Sequence, residues 1–131
     1  MPQPVILCVD DERIVLDSLK TQLKKAFGDE FFYEVAESAH EALELIEELE
    51  EDNIEIAVII SDWLMPGMKG DAFLIHVHQN APNIIKIMLT GQADEGAIGR
   101  AQQQAQLHDC LFKPWEGEVL IQTLKTALNL D

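Results

Sequence analysis

Residues 5–12 read VILCVDDE, a run of five apolar residues that ends in two aspartates and a glutamate. A short apolar run rich in β-branched residues is typical of a strand that is buried on both faces of a sheet. Strands of this kind occur in parallel sheets that carry helices on either side. We therefore expect an α/β fold in which Val5–Val9 is an inner strand and Asp10 and Asp11 follow its carboxyl end.

The rest of the chain continues this alternation of strand and helix, which implies a parallel sheet covered by helices on both faces. The further predicted strands are Phe31–Ala36, Ile56–Ser61, Asn83–Leu89 and Asp109–Phe112. The predicted helices are Val15–Phe27, Ala39–Glu51, Gly70–Asn80, Asp94–Gln106 and Trp115–Leu128. We expect Asp94–Gln106 to be the least stable helix, because it contains two interior glycines and an apolar stripe made mostly of alanine.

Length and composition restrict the function classes. The 131 residues suffice for a single domain over 1–131, and nothing after Leu128 resembles an effector domain. A net charge of −15 opposes binding to nucleic acid and to anionic membranes. The sequence shows neither a signal peptide nor an apolar run long enough to span a bilayer, so we expect a cytoplasmic protein. Cys8 and Cys110 are expected to be reduced packing residues.

Polar side chains follow four of the predicted strands where each strand ends. They are Asp10 with Asp11, Asp62, Thr90 and Lys113. Because the carboxyl ends of parallel strands meet at one edge, we expect these side chains to share a pocket. Two carboxylates about 5 Å apart repel by roughly 3 kcal/mol at an effective dielectric constant near 20, so three of them favour a bound cation. Mg²⁺ prefers such oxygen ligands, and beside a hydroxyl and an ammonium group it suits phosphoryl transfer to an aspartate.

Four segments together carry a resemblance to a known family. The segments are VILCVDDE (5–12), IISDWLMPGMKG (59–70), IKIMLTG (85–91) and LFKPW (111–115). In this order and on these strands, they make the chain resemble the receiver domains of two-component response regulators over essentially its whole length. The resemblance implies a flavodoxin-like, doubly wound sheet with strand order 2-1-3-4-5, an order for which a member of this family is a standard example.

The resemblance also implies roles for residues of the pocket. Asp62 resembles the phosphoacceptor, and Asp11 resembles a direct Mg²⁺ ligand with Asp10 beside it. The backbone carbonyl of Leu64 matches a third protein ligand of the metal. Leu64 and Gln92 also occupy the two variable positions that influence the lifetime of the phosphate in this family.

Further positions concern the response to phosphorylation. Thr90 resembles the switch hydroxyl, and Lys113 resembles the lysine that pairs with Asp62 and later with the phosphate. The bond before Pro114 is expected to be cis. Receivers usually carry tyrosine or phenylalanine three residues before the lysine, but this position is Cys110, so the part of the switch that uses an aromatic ring is in question.

The leading hypothesis is therefore a regulatory phosphoacceptor domain, which is not an enzyme beyond assisting its own phosphorylation and dephosphorylation. Its expected partners are a sensor histidine kinase or histidine phosphotransfer protein and a downstream effector, and homodimerisation is left open. One alternative is a constitutive interaction module with an intact pocket, because Cys110 weakens the switch. A second alternative is an aspartyl-phosphate phosphatase, which usually needs an acid where this chain has Leu64.

Overall fold

A computed structural model describes residues 3–91 and 95–130 of the chain. In these ranges five strands alternate with five helices, which confirms the predicted α/β fold. The strands are β1 (Val5–Val9), β2 (Phe32–Ala36), β3 (Ile56–Asp62), β4 (Ile85–Thr90) and β5 (Asp109–Phe112). The helices are α1 (Arg13–Phe27), α2 (Ala39–Glu51), α3 (Gly70–Asn80), α4 (Glu95–Gln104) and α5 (Gly117–Ala127). All described strand pairs are parallel, and the order is β2-β1-β3-β4-β5.

The sheet separates two apolar layers. Helices α1 and α5 pack on one face, and α2, α3 and α4 pack on the other. Strand β1 contributes to both layers, because Ile6 and Cys8 face the first layer while Leu7 and Val9 face the second. Every residue of Val5–Val9 is buried, as a strand covered on both faces requires.

Two elements begin two residues later than the periodicity predicted. Strand β4 begins at Ile85 instead of Asn83, because the preceding residues form a turn in which the amide of Ile84 donates to the carbonyl of Ala81. Helix α5 begins at Gly117 instead of Trp115. Glu116 has an extended backbone at the helix N-cap, so the segment after Lys113 enters the helix only at the next residue.

Helix α4 contributes little apolar surface to the core. Its buried residues are Ala97 and Ala101. The predicted first residue, Asp94, lies outside the described residues. The helix ends at Gln104, two residues earlier than predicted, and Gln106 then adopts a positive φ of 50° that α-helical backbone does not allow.

None of the helices in the described ranges is both long and apolar enough to cross a membrane. Cys8 is buried, Cys110 is half-buried, and both thiols are free, as the sequence predicted.

Candidate functional site

The register of the sheet brings the carboxyl ends of its strands to one edge. Val9 of β1 lies opposite Ser61 of β3, so Asp10 and Asp62 follow side by side. Thr90 at the end of β4 lies opposite Phe112 of β5, the residue before Lys113. The backbone amide of Lys113 donates to the carbonyl of Thr90 at 2.8 Å, which fixes these two strand ends to each other. The predicted meeting of polar residues from four strands is therefore present.

Three carboxylates at this edge form a set that could hold a cation. One carboxylate oxygen from each of Asp10, Asp11 and Asp62 lies within 4.8 Å of the other two. Asp10 and Asp62 are buried, whereas Asp11 is exposed. A partly exposed set of oxygen ligands fits Mg²⁺, which keeps several of its waters when it binds to proteins. Leu64 lines the same cleft as Asp11 and Asp62, so the chain segment expected to supply a backbone ligand lies next to the carboxylates.

Lys113 places its ammonium group among the carboxylates. Its Nζ donates to Oδ2 of Asp10 at 2.8 Å, and it lies 3.4 Å from Oδ1 of Asp62. The more exposed carboxylate of Glu12 is 3.7 Å away. The sequence predicted a pair between Lys113 and Asp62, and the structure adds that Asp10 is the nearer partner. The Lys113–Pro114 bond is cis, as the resemblance implied.

Asp10 is the most completely enclosed of the three acids. Its side chain is 0% exposed, its Oδ2 accepts from Lys113, and its Oδ1 accepts from the backbone amide of Glu12 at 2.8 Å. Both oxygens therefore have a donor within the protein. The hydrogen bond from Lys113 ties the loop that follows β1 to the segment that follows β5, and the one from Glu12 lies within that loop.

The electrostatics of the pocket leave it short of positive charge. Burial and, after it, the charge of Asp10 raise the pKa of Asp62 to about 6, because the attraction of Lys113 only partly opposes them. Burial likewise raises the pKa of Asp10, despite its hydrogen bond with Lys113. Burial lowers the pKa of Lys113, but its contacts with Asp10 and Asp62 outweigh that effect, so the pKa is raised overall. The lysine stays charged while the two buried acids resist ionisation, which a divalent cation would relieve.

Thr90 and Cys110 occupy the two predicted switch positions. Thr90 is fully buried at the end of β4 and lines the cleft together with Asp62 and Lys113. Cys110 lies opposite Met88 and packs, half-buried, on the layer of α2, α3 and α4. Phe112, two residues later on the same side of β5, is 58% exposed. The position that carries a ring in most receivers therefore holds a small thiol here. Gln92 lies outside the described residues.

A polar connection beside the pocket was not predicted. Trp63, which directly follows Asp62, donates its indole Nε1 to Oδ1 of Asp71 at 3.2 Å. Arg100 of α4 donates to Oδ2 of the same carboxylate at 2.8 Å. Asp71 is in the first turn of α3, where an acidic residue is ordinary, so the sequence held no signal for this contact.

Comparison with known proteins gives a consistent result. The model of the response regulator receiver domain family matches residues 6–125. The hydrogenase transcriptional regulatory protein HoxA of Cupriavidus necator is 32% identical over 127 residues, which are 97% of this chain and 24% of that protein. The chain thus spans about a quarter of the length of the curated relatives that it matches first.

Solved structures agree with this result. The signal receiver domain of an HD domain-containing protein from Pseudomonas fluorescens superposes with a TM-score of 0.85 at 30% identity, covering 97% of this chain and 95% of the other. A CheY-like receiver domain protein from Methanospirillum hungatei gives 0.84 at 29% identity, with 97% and 94% covered. On the sheet order, the family match and these similarities, the chain belongs to the response regulator receiver domain family.

Proposed function

We propose that this receiver domain accepts a phosphoryl group on Asp62 from a phosphohistidine of a sensor kinase or phosphotransfer protein, with Mg²⁺ bound to Asp10, Asp11, Asp62 and the carbonyl of Leu64. The observation that carries the proposal is the convergence of three carboxylates with the ammonium of Lys113, 3.4 Å from Asp62. A lone aspartate at a strand end would not need this arrangement.

In the proposed reaction, an ionised oxygen of Asp62 attacks phosphorus and forms a new P–O bond. The P–N bond of the phosphohistidine breaks, and the imidazole leaves with the bonding electron pair and takes up a proton. Lys113 is placed to turn from Asp10 toward the new phosphoryl oxygens, and the hydroxyl of Thr90, which lines the same cleft, supplies a second donor. Mg²⁺, when bound, supplies charge neutralisation between the carboxylates and the phosphoryl group.

In this proposal the output is regulatory. The added charge draws Thr90 and Lys113 toward Asp62 and shifts the segment leading into α4, which changes the surface that a downstream effector or a second copy of the chain contacts. The place of action is the cytoplasm, and no external substrate is turned over. A phosphatase activity is disfavoured, because the side chain of Leu64 can neither donate nor accept a proton.

A second candidate function is a constitutive interaction module. The specific observation in its favour is the half-buried Cys110, which has no ring to move when Thr90 moves. Under this alternative the pocket binds a phosphoryl mimic without any change in the spectra of the protein, whereas the proposed function requires such a change.

The proposal predicts phosphorylation of the purified chain by a small phosphodonor, measured as the addition of one phosphoryl group by intact-mass spectrometry. Labelling is expected with Mg²⁺, is expected to disappear with a chelator, and is expected to be absent from Asp62→Asn. Asp17→Asn is the matched control, because Asp17 is an exposed carboxylate on α1, and it should label like the wild type. Equal labelling of Asp62→Asn and the wild type would reject Asp62 as the acceptor.

A further inference from the structure

The carboxylate of Asp71 connects the phosphoacceptor loop to α4. Asp71 is 5% exposed, and its two oxygens accept from two different elements: Oδ1 from Trp63 and Oδ2 from Arg100. We call these three residues the Asp71 link. We propose that the Asp71 link positions α4 against the phosphoacceptor loop and opposes the conformation that holds a phosphoryl group. This inference rests on the proposed function.

One end of the link is rigidly coupled to the acceptor. Trp63 follows Asp62 in the chain, and its carbonyl accepts from the amide of Gly70 at 2.7 Å. The start of α3 lies so close behind the acceptor that a Cβ on Gly70 would overlap the carbonyl oxygen of Asp62. Nζ of Lys69 lies 5.1 Å from the centre of the Trp63 ring, which adds a cation–π contact. The indole therefore has little freedom relative to Asp62.

The other end of the link is on α4, a helix that buries little apolar surface against the core. The fully buried residues of α4 are alanines, which bury little area, and the half-buried Ile98 packs against the same core, so the charge-assisted hydrogen bond to α3 supplements a small apolar contact. Arg100 reaches a nearly buried carboxylate while its own side chain is 55% exposed. A movement of α4 away from α3 would leave Asp71 without its cation, which makes the position of α4 sensitive to this one pair.

In the structure that contains the Asp71 link, Lys113 is turned toward Asp10 and not toward Asp62. Lys113 hydrogen bonds to Asp10 at 2.8 Å and lies farther from Asp62. Binding of a phosphoryl group on Asp62 needs Lys113 and Thr90 to turn toward it, and the segment after Thr90 leads into α4. Cys110 offers no ring at the position where most receivers carry one, and the Asp71 link is one polar connection, among the described residues, between the acceptor loop and that helix.

Breaking the pair should therefore favour the phosphoryl-bound conformation. By linkage, a variant that destabilises the linked conformation binds a phosphoryl mimic more tightly. A simple effect of net charge on the affinity for an anionic phosphoryl mimic would give a different result. Removing the positive charge of Arg100 would weaken binding of an anion, while removing the negative charge of Asp71 would strengthen it. The Asp71 link requires both substitutions to act in the same direction.

The test is the affinity of the full chain for beryllofluoride in saturating Mg²⁺, measured by isothermal titration calorimetry. Arg100→Gln and Asp71→Asn are each expected to bind about fivefold more tightly than the wild type, which is the low end of allosteric coupling. The double variant should gain no more than either single one, because one interaction is lost in all three. Arg100→Lys, which keeps the cation, should remain nearer to the wild type.

Lys24→Gln is the matched control, since it removes an exposed cation at the far end of the 15-residue helix α1, and its affinity should equal that of the wild type. An Arg100→Gln protein that is folded by circular dichroism but binds no more tightly than the wild type overturns the inference, as do additive effects in the double variant. If Arg100→Gln does not fold, Asp71→Asn is compared with Arg100→Lys instead, and an Asp71→Asn protein that binds beryllofluoride no more tightly than Arg100→Lys overturns the inference.

Beryllofluoride binding that is absent from the wild type, or that persists in Asp62→Asn, contradicts the proposed function instead.

Discussion

Asp62→Asn is expected to make the metal-free protein more stable at neutral pH, although it removes the phosphoacceptor. Burial and the charge of Asp10 raise the pKa of Asp62 to about 6, above its usual value near 4. The folded state therefore binds this proton more tightly than the unfolded state does. The stability that the proton contributes is fully present below about pH 4 and is lost as the pH rises through about 6.

This loss sets the size of the expected effect. One pKa unit corresponds to about 1.4 kcal/mol, and the pKa of Asp62 is raised from near 4 to about 6, so the free energy of unfolding of Asp62→Asn should exceed that of the wild type by on the order of 3 kcal/mol at pH 7.5. The expected rise in Tm is roughly 10 °C. Urea denaturation in a chelator at pH 7.5 and near pH 4 measures the free energy of unfolding of both proteins. The difference between Asp62→Asn and the wild type should be smaller at the lower pH.

Asp17→Asn removes an exposed carboxylate of α1 and should change the free energy of unfolding by less than about 0.5 kcal/mol at either pH. A stability of Asp62→Asn equal to or below that of the wild type at pH 7.5 without metal would show that the pocket is not electrostatically strained.

Lys113→Met is expected to have the opposite effect on the metal-free protein. It leaves Asp10 and Asp62 buried without the cation that lies 2.8 and 3.4 Å from them. Removing one partner of a buried ionic cluster costs about 3 kcal/mol or more, which corresponds to a fall in Tm of roughly 10 °C. Scanning calorimetry in a chelator at pH 7.5 measures this change.

Mg²⁺ should restore part of that loss, because a divalent ion replaces the missing positive charge between the carboxylates. The rise in Tm on adding Mg²⁺ should therefore be larger for Lys113→Met than for the wild type. Lys24→Met, at an exposed position on α1, is the control and should resemble the wild type in both conditions. An unchanged Tm for metal-free Lys113→Met would mean that the lysine does not neutralise the buried acids.

The sequence was sufficient to locate the main parts of the pocket because each part lies at the end of a predicted strand. Asp10, Asp62 and Thr90 stand at the ends of strands whose burial is evident from their composition, and Lys113 follows a short strand in which only Leu111 is buried. The carboxyl ends of parallel strands meet at one edge, which brings these residues together. The nearer pairing of Lys113 with Asp10 could not be predicted in this way. It depends on side-chain directions at distances of a few ångströms, which strand patterns do not encode.

Contacts between residues on different helices could not be predicted from the sequence either. Arg100 and Asp71 are 29 residues apart on two different helices, and each is of a type that is usually solvated. Lys86 shows the same limitation: it interrupts the apolar run of β4, yet its side chain is 2% exposed and its Nζ donates to the carbonyl of Ile84 at 2.6 Å. Both cases depend on which polar groups can find a partner once the core has formed.

The most direct measurement is the location of the phosphoryl group on the chain. Borohydride reduces an aspartyl phosphate to homoserine, so the protein is phosphorylated with a small donor and Mg²⁺, reduced, digested and sequenced by mass spectrometry. If Asp62 is the phosphoacceptor, homoserine is expected at position 62 and aspartate at positions 10 and 11. Homoserine at position 10 or 11 in place of position 62 would contradict the assignment of Asp62 as the phosphoacceptor. Homoserine at none of the three positions, in a protein that has gained a phosphoryl group, would contradict it as well.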